Sequence, residues 1–307
     1  MLTLHGMVLA AITPMKPDQS IDTGAVRALV NCFIDAGVTG LFFLASQGEF
    51  YSLERSERRL IVRAAVRAAS KRIPIVVNTG AISTRVSVML SQEAEGEGAD
   101  AIGPITPFYL RPNHEEMFRY YRAIIHSVRI PVYAYNNPPR AGGVGLDEET
   151  VIRLARATNR FAGIFDAEGN FQFARRCARL QGGRFGYFLA GSMEVARALA
   201  VGAKGVVIAT ANAAPADFVA MYEAERIGNH KEAARIRRRL EPLHNLFRHG
   251  PFPGTMKACL DLLGLPAGPP RLPALPASRE IRSRAAMILK DLENDRVRRG
   301  RGGPRLQ

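Results

Sequence analysis

Tyr109, Tyr135, Ser46, Gln47, Glu49 and Arg140 are the residues on which chemistry can rest in this chain. They lie in three stretches, SQGEFYSL (46–53), PITPFYLRP (104–112) and YNNPPRAGG (135–143). Two phenols can pass protons through their hydroxyls. Ser46, with the backbone N–H groups of the 46–49 turn, can hold a carboxylate. Arg140 is permanently charged and can pair with a second carboxylate through two donors. Together they suit acid–base work on a small anion. Taken singly, each has a plainer role: a tyrosine at a strand end packs, and a loop arginine is solvated.

Other chemistries have less to build on. A Schiff base needs an inward lysine whose amine is kept neutral by burial and neighbours. The six lysines are Lys16, Lys71, Lys204, Lys231, Lys257 and Lys290, and none ends a predicted strand. Lys16, three residues past the first strand, is the one nearest the expected mouth. Metal-assisted catalysis needs convergent His, Asp or Glu side chains. None of the six histidines ends a strand, and only Glu49, Asp166 and Glu168 are placed to hold a hard cation. AGGVG (141–145) lacks the lysine and spacing of a phosphate-binding loop. No metal and no cofactor is therefore expected.

Eight short apolar, β-branched or aromatic runs must position these residues: MVLAAIT (7–13), GLFFLAS (40–46), PIVVNTG (74–80), AIGPIT (101–106), VYAYNN (132–137), FAGIFDA (161–167), FGYFLAG (185–191) and GVVIATAN (205–212). Their starts lie about one strand–helix unit apart. Near-continuous hydrophobicity suits strands buried on both faces of a parallel sheet. Helical patterns fill gaps at 23–36, 54–71, 114–127, 147–157 and 192–201, with Asn113, Asp147 and Ser192 as N-caps. Eight alternating units predict a (β/α)8 TIM barrel, with a doubly wound open sheet as the competitor. After Asn212 the pattern is helical only, over 215–228, 230–248, 254–264 and 278–294. The expected organisation is a barrel over 1–224 and a C-terminal α-helical appendage over 225–307 that ends in a basic tail (296–307). The carboxyl ends of barrel strands are where active sites lie. They also carry Thr13, Asn78, Thr79, Thr106, Asn136, Asp166, Glu168, Ser192, Thr210 and Asn212.

A chain of 307 residues accommodates such a barrel with its appendage. The net charge is +14 and rests on arginine, 36 Arg against 6 Lys. A basic surface attracts nucleic acid or steers small anions. No basic motif with interleaved aromatics is present, so the charge reads as a solvated face, with no nucleic-acid partner. No apolar run spans a membrane. The N-terminus reads as a strand and loop, and three scattered cysteines argue against a disulfide framework. A cytoplasmic location is expected.

Six motifs in order, AITP (11–14), SQGEFYSL, PITPFYLRP, YNNPPRAGG, GIFDAEGN (163–170) and GVVIATAN, resemble those of the dihydrodipicolinate synthase and N-acetylneuraminate lyase family over nearly the whole chain. The resemblance implies a (β/α)8 barrel with C-terminal helices, assembled as a homotetramer or homodimer. It implies lyase chemistry on a 2-keto or sugar acid held covalently by a lysine. By resemblance, Tyr135 is the proton-transfer group, and Ser46 links it to Tyr109, which completes the relay across a subunit interface. Arg140 meets a substrate carboxylate, and Gly48 and Glu49 belong to the turn after the keto-acid carboxylate site. Two positions depart from the pattern. Phe165 stands where the family places its Schiff-base lysine, and Gln47 stands where a small hydroxyl residue is usual. The expected function is a family lyase acting on a small keto or hydroxy acid through Tyr135 without the imine. The alternative is an inactive member that binds a small carboxylate metabolite or a partner subunit.

Overall fold

A computed structural model describes residues 2–191 and 193–297. Ser192 and the basic tail from 298 onward therefore lie outside the described residues. Eight parallel strands close into a barrel in chain order: β1 (Gly6–Ala10), β2 (Gly40–Phe43), β3 (Ile75–Val77), β4 (Ala101–Ile102), β5 (Val132–Asn136), β6 (Phe161–Asp166), β7 (Gly186–Ala190) and β8 (Gly205–Ile208). Closure is made by β1 against β8, with Gly6 opposite Gly205. Every residue of these strands is buried, as their unbroken hydrophobicity requires. The open-sheet alternative is thereby set aside.

The outer ring is α1 (Thr23–Asp35), α2 (Arg55–Ala69), α3 (Thr84–Gly96), α4 (His114–Ser127), α5 (Glu148–Ala157), α6 (Phe171–Cys177), α7 (Val195–Ala200) and α8 (Pro215–Arg226). The expected caps form where described: Asn113 and Glu116 make a capping box, and Asp147 accepts the Thr150 N–H. Sequence periodicity did not single out α3 and α6. Helix α3 ends in the largely polar run SQEAEG, and α6 is only seven residues long, so neither has an extended apolar stripe. The basic face of α2 is not simply solvated. Arg59 and Arg63 pair with Glu97 of α3 at 3.0 and 2.8 Å. Arg58 donates to the Phe50 carbonyl at 2.6 Å.

Helices α9 (His230–His249), α10 (Gly254–Leu262) and α11 (Arg279–Val297) follow the barrel. The expected division after 224 falls within the last turn of α8. The Pro-rich connection between α10 and α11 is tied back to the barrel. Its Ala267 carbonyl accepts the Met15 N–H at 3.0 Å, and Arg271 pairs with Glu57 at 2.6 Å.

The middle of the barrel is an aromatic cluster. Strands β2 and β6 lie four strands apart in either direction around the ring. Phe42 of β2 and Phe165 of β6 nevertheless meet with ring centroids 5.1 Å apart. That contact runs through the interior, so Phe165 points inward. Phe165 also stacks on Tyr133 at 5.3 Å and meets Phe188 edge-on at 5.4 Å. Two glycines make room for this. A Cβ on Gly103 would lie 2.8 Å from the Phe42 ring, and one on Gly163 would lie 2.6 Å from the Tyr133 ring. Overpacking a filled core costs about 1–3 kcal/mol. Gly163→Ala should therefore lower stability by at least that range in urea unfolding. An unchanged midpoint would show that the Tyr133 ring and the Gly186 carbonyl, which a Cβ on Gly163 also crowds, both yield freely.

Candidate active site

Most polar residues at the strand ends hold loops in place. Asn78 donates to the Leu44 carbonyl at 2.8 Å and accepts the Gly80 and Ile105 N–H groups, both at 3.0 Å. Asn212 donates to the Ala10 carbonyl at 2.7 Å and accepts the Ile12 N–H at 3.2 Å. Thr13 and Thr106 donate to the carbonyls of Gly48 and Val144. Asn136 donates to Asp166 at 2.8 Å and to Glu168 at 2.9 Å. Asp166 also accepts from Tyr187 at 2.6 Å. Burial first, and this buried carboxylate second, push the Tyr187 phenol far above its usual range. Buried polar groups need such partners, and here the partners come from within the chain. Among the described residues no group of three or more His, Cys, Asp or Glu side chains is arranged to hold a metal ion.

What is left at the mouth is small. Strand β2 ends in a 3-10 turn, Ser46–Gly48. Strand alternation carries Tyr135 inward at the end of β5, where its ring meets Phe42 edge-on at 5.3 Å. The Ser46 hydroxyl and the Tyr135 hydroxyl are 3.4 Å apart. Asn137 Nδ2 donates to the same Tyr135 oxygen at 2.6 Å. Burial raises the Tyr135 pKa above the ordinary phenol value. The hydrogen bond shared with Ser46, the one donated by Asn137 and the positive charge of Arg140 oppose that rise. Arg140 ends a second 3-10 turn, Pro138–Arg140, and its guanidinium lies over the Phe252 ring at 3.8 Å. Phe165 is the register partner of Tyr135 on the next strand and is fully buried.

The remaining predicted residues differ in their surroundings. The Gln47 side-chain oxygen is buried with no hydrogen-bond partner among the described residues. An orphaned buried group of this kind costs about 1–3 kcal/mol until a ligand or water satisfies it. A Cβ on Gly48 would press on the Ala11 carbonyl at 3.2 Å, so the turn sits tight against β1. The Glu49 side chain faces away from the mouth. It is fully buried, 2.7 Å from Lys257 Nζ, and its other oxygen accepts the Arg271 N–H at 2.8 Å. Tyr109 is not brought to Tyr135 within the chain. It is 89% exposed and held in the left-handed region at φ 74°. Lys16 is exposed, and Lys257 Nζ is held by Glu49 and by the Pro269 carbonyl at 2.8 Å.

Asn137, Phe252, Lys257 and Arg271 were not anticipated from sequence. Asn137 was within reach, because a residue two past Tyr135 on an extended chain shares its side. Lys257 also carried a sign. It is the one basic residue in α10, GTMKACLDL, where every position from Gly254 to Leu260 is buried. A fully buried lysine implies a partner acid. Removing one member of such a pair leaves an uncompensated buried charge, which costs about 3–5 kcal/mol. Lys257→Met should destabilise the protein by that amount in urea unfolding. Adding Glu49→Gln should recover part of the loss. Additive losses would show that the two charges do not interact.

Comparison with known proteins agrees with this architecture. The sequence model of the dihydrodipicolinate synthetase family matches residues 3–292. The 4-hydroxy-tetrahydrodipicolinate synthase of Archaeoglobus fulgidus is 33% identical over 289 residues, 94% of this chain and 98% of that protein. The crystal structure of a dihydrodipicolinate synthase from Bacillus anthracis superposes with a TM-score of 0.89 at 29% identity, covering 94% of this chain and 99% of that one. A prophage protein of Escherichia coli K12 from the dihydrodipicolinic acid synthase family, solved with pyruvate, gives 0.87 at 29% identity, with 94% and 98% covered. A match across nearly the whole length, on a closed eight-stranded barrel with Ser46, Tyr135 and Arg140 gathered at its mouth, makes this chain a member of the dihydrodipicolinate synthetase family.

Proposed function

We propose that this protein is a lyase of its family that acts on a small keto or hydroxy acid without forming an imine, with Tyr135 as its acid–base group. The observation that carries the reading is the Phe165 ring. It is buried beside Tyr135 at the barrel centre, and a phenyl ring offers no nucleophile. Each of the six lysines lies elsewhere, exposed, partly exposed at the opposite end of the barrel, or held by Glu49. A small keto acid suits the site chemically, and the Escherichia coli family protein was solved with pyruvate.

In this reading one carboxylate of the ligand lies against the backbone N–H groups of the Ser46–Gly48 turn, and a ligand hydroxyl donates to the Gln47 side-chain oxygen that lacks a partner. Arg140 meets a second carboxylate, its fork braced from behind by Phe252. Tyr135 then gives a proton to a ligand oxygen or takes one back, with Ser46 as its relay. Without an imine there is no covalent electron sink, so developing negative charge has only hydrogen-bond donors and Arg140 to stabilise it. Steps that start from an already acidic C–H, such as loss of a β-hydroxyl, suit this better than carbon–carbon cleavage. Tyr109 enters from a second copy in a homodimer or homotetramer. Its exposed, strained position and the neighbouring exposed Leu110 support that role.

A second reading, a non-catalytic member that binds a small carboxylate metabolite or a partner subunit, is favoured by the aromatic filling around Phe165. Turnover of keto and sugar acids separates the two. Activity that disappears in Tyr135→Phe supports the enzyme. Stabilisation by a ligand in thermal melts with no turnover supports the binder. Because Tyr135 is raised above the phenol value of 10, it is protonated at neutral pH. The alkaline fall in its activity as an acid should therefore lie above about pH 10. Borohydride reduction with pyruvate should leave the intact mass unchanged. Phe165→Lys should gain a pyruvyl adduct, since burial among aromatic rings keeps an amine neutral. An adduct on the unmodified protein would overturn the imine-free reading.

A further inference from the structure

The Tyr135 hydroxyl has one proton to give and two lone pairs with which to accept. Asn137 Nδ2, 2.6 Å away, occupies one of those lone pairs. An amide nitrogen accepts nothing, so this contact cannot draw off the phenol proton. The proton is left for Ser46 Oγ at 3.4 Å or for a ligand oxygen. When the phenol gives up its proton, the same N–H remains against the phenolate, where a donor is worth about twice its neutral value. The placement follows from the backbone. Tyr135 ends its strand inward, and Asn137, two residues on, returns to the same side. The Asn137 carbonyl also accepts the Arg140 N–H at 2.9 Å and the Ala141 N–H at 3.0 Å, which fixes the turn that carries Arg140.

We infer that Asn137 is a positioning residue that aims the Tyr135 proton toward Ser46 and the ligand and stabilises the phenolate left behind. The inference rests on the reading of Tyr135 as the acid–base group. It adds a donor that sets both the direction and the ease of proton transfer.

The test is a titration of the full-length protein labelled with 13Cζ-tyrosine. The Tyr135 resonance is identified by its loss in Tyr135→Phe. Asn137→Leu keeps the branching and removes the donor, and it should raise the Tyr135 midpoint by about one unit, a tenfold loss of acidity. Asn137→Asp places an anion against the phenol oxygen and should raise it further. Asn137 is only half-buried and its backbone contacts survive both changes, so the fold should hold, as thermal melts will show. An unchanged or lowered midpoint in either folded variant overturns the inference. The titration reads acidity alone and needs no turnover. An inactive protein would refute the enzyme reading and still report whether Asn137 controls the phenol.

Discussion

Eight strands that close on themselves leave an interior wide enough only for side chains, and opposite walls must fill it between them. Phe42 and Phe165 meet this demand directly, with Tyr133 and Phe188 packed around them. The constraint propagates upward. The ring at position 165 packs on Phe42, and Phe42 in turn meets the Tyr135 ring edge-on. This packing leaves the polar groups of the mouth, Ser46, Gln47, Asn137 and Arg140, as a thin layer above an apolar centre. Low polarity beneath raises the phenol pKa and strengthens whatever hydrogen bonds reach it.

The second constraint is electrostatic and comes from outside the barrel. Glu49 has left-handed backbone at φ 55° directly after the Ser46–Gly48 turn. Its carboxylate is anchored by Lys257 on α10 and by the backbone of Arg271 in the Pro-rich connection. Arg271 in turn pairs with Glu57 at the start of α2, the next helix after that turn. The turn that shapes one side of the mouth is therefore held from below by β1 and from behind by the C-terminal helices. Such buried charges stabilise only as a matched set.

Much of this was legible in the residues. The spacing of apolar runs specified eight strands, and the motif order placed Ser46, Tyr135 and Arg140 together. The direction of Phe165 was not legible. FAGIFDA is apolar almost throughout, and a strand buried on both faces has no alternation from which to tell inside from outside. Nor could the sequence show that Glu49 turns toward Lys257, since the two stand more than two hundred positions apart and meet only because the appendage folds back. Tyr109 is a different case. Its phenol is almost fully exposed, and no contact within the chain brings it to Tyr135.

The stacking of Arg140 on Phe252 has a consequence for how the protein can be divided. The guanidinium is mounted on the barrel, but the face it rests on belongs to the connection between α9 and α10. An excised barrel, even one that kept all eight strands, would present this cation on an unbraced arm. The aim of this guanidinium is thus a shared property of two parts of the chain, and transplanting the barrel mouth alone into another scaffold would leave that aim behind.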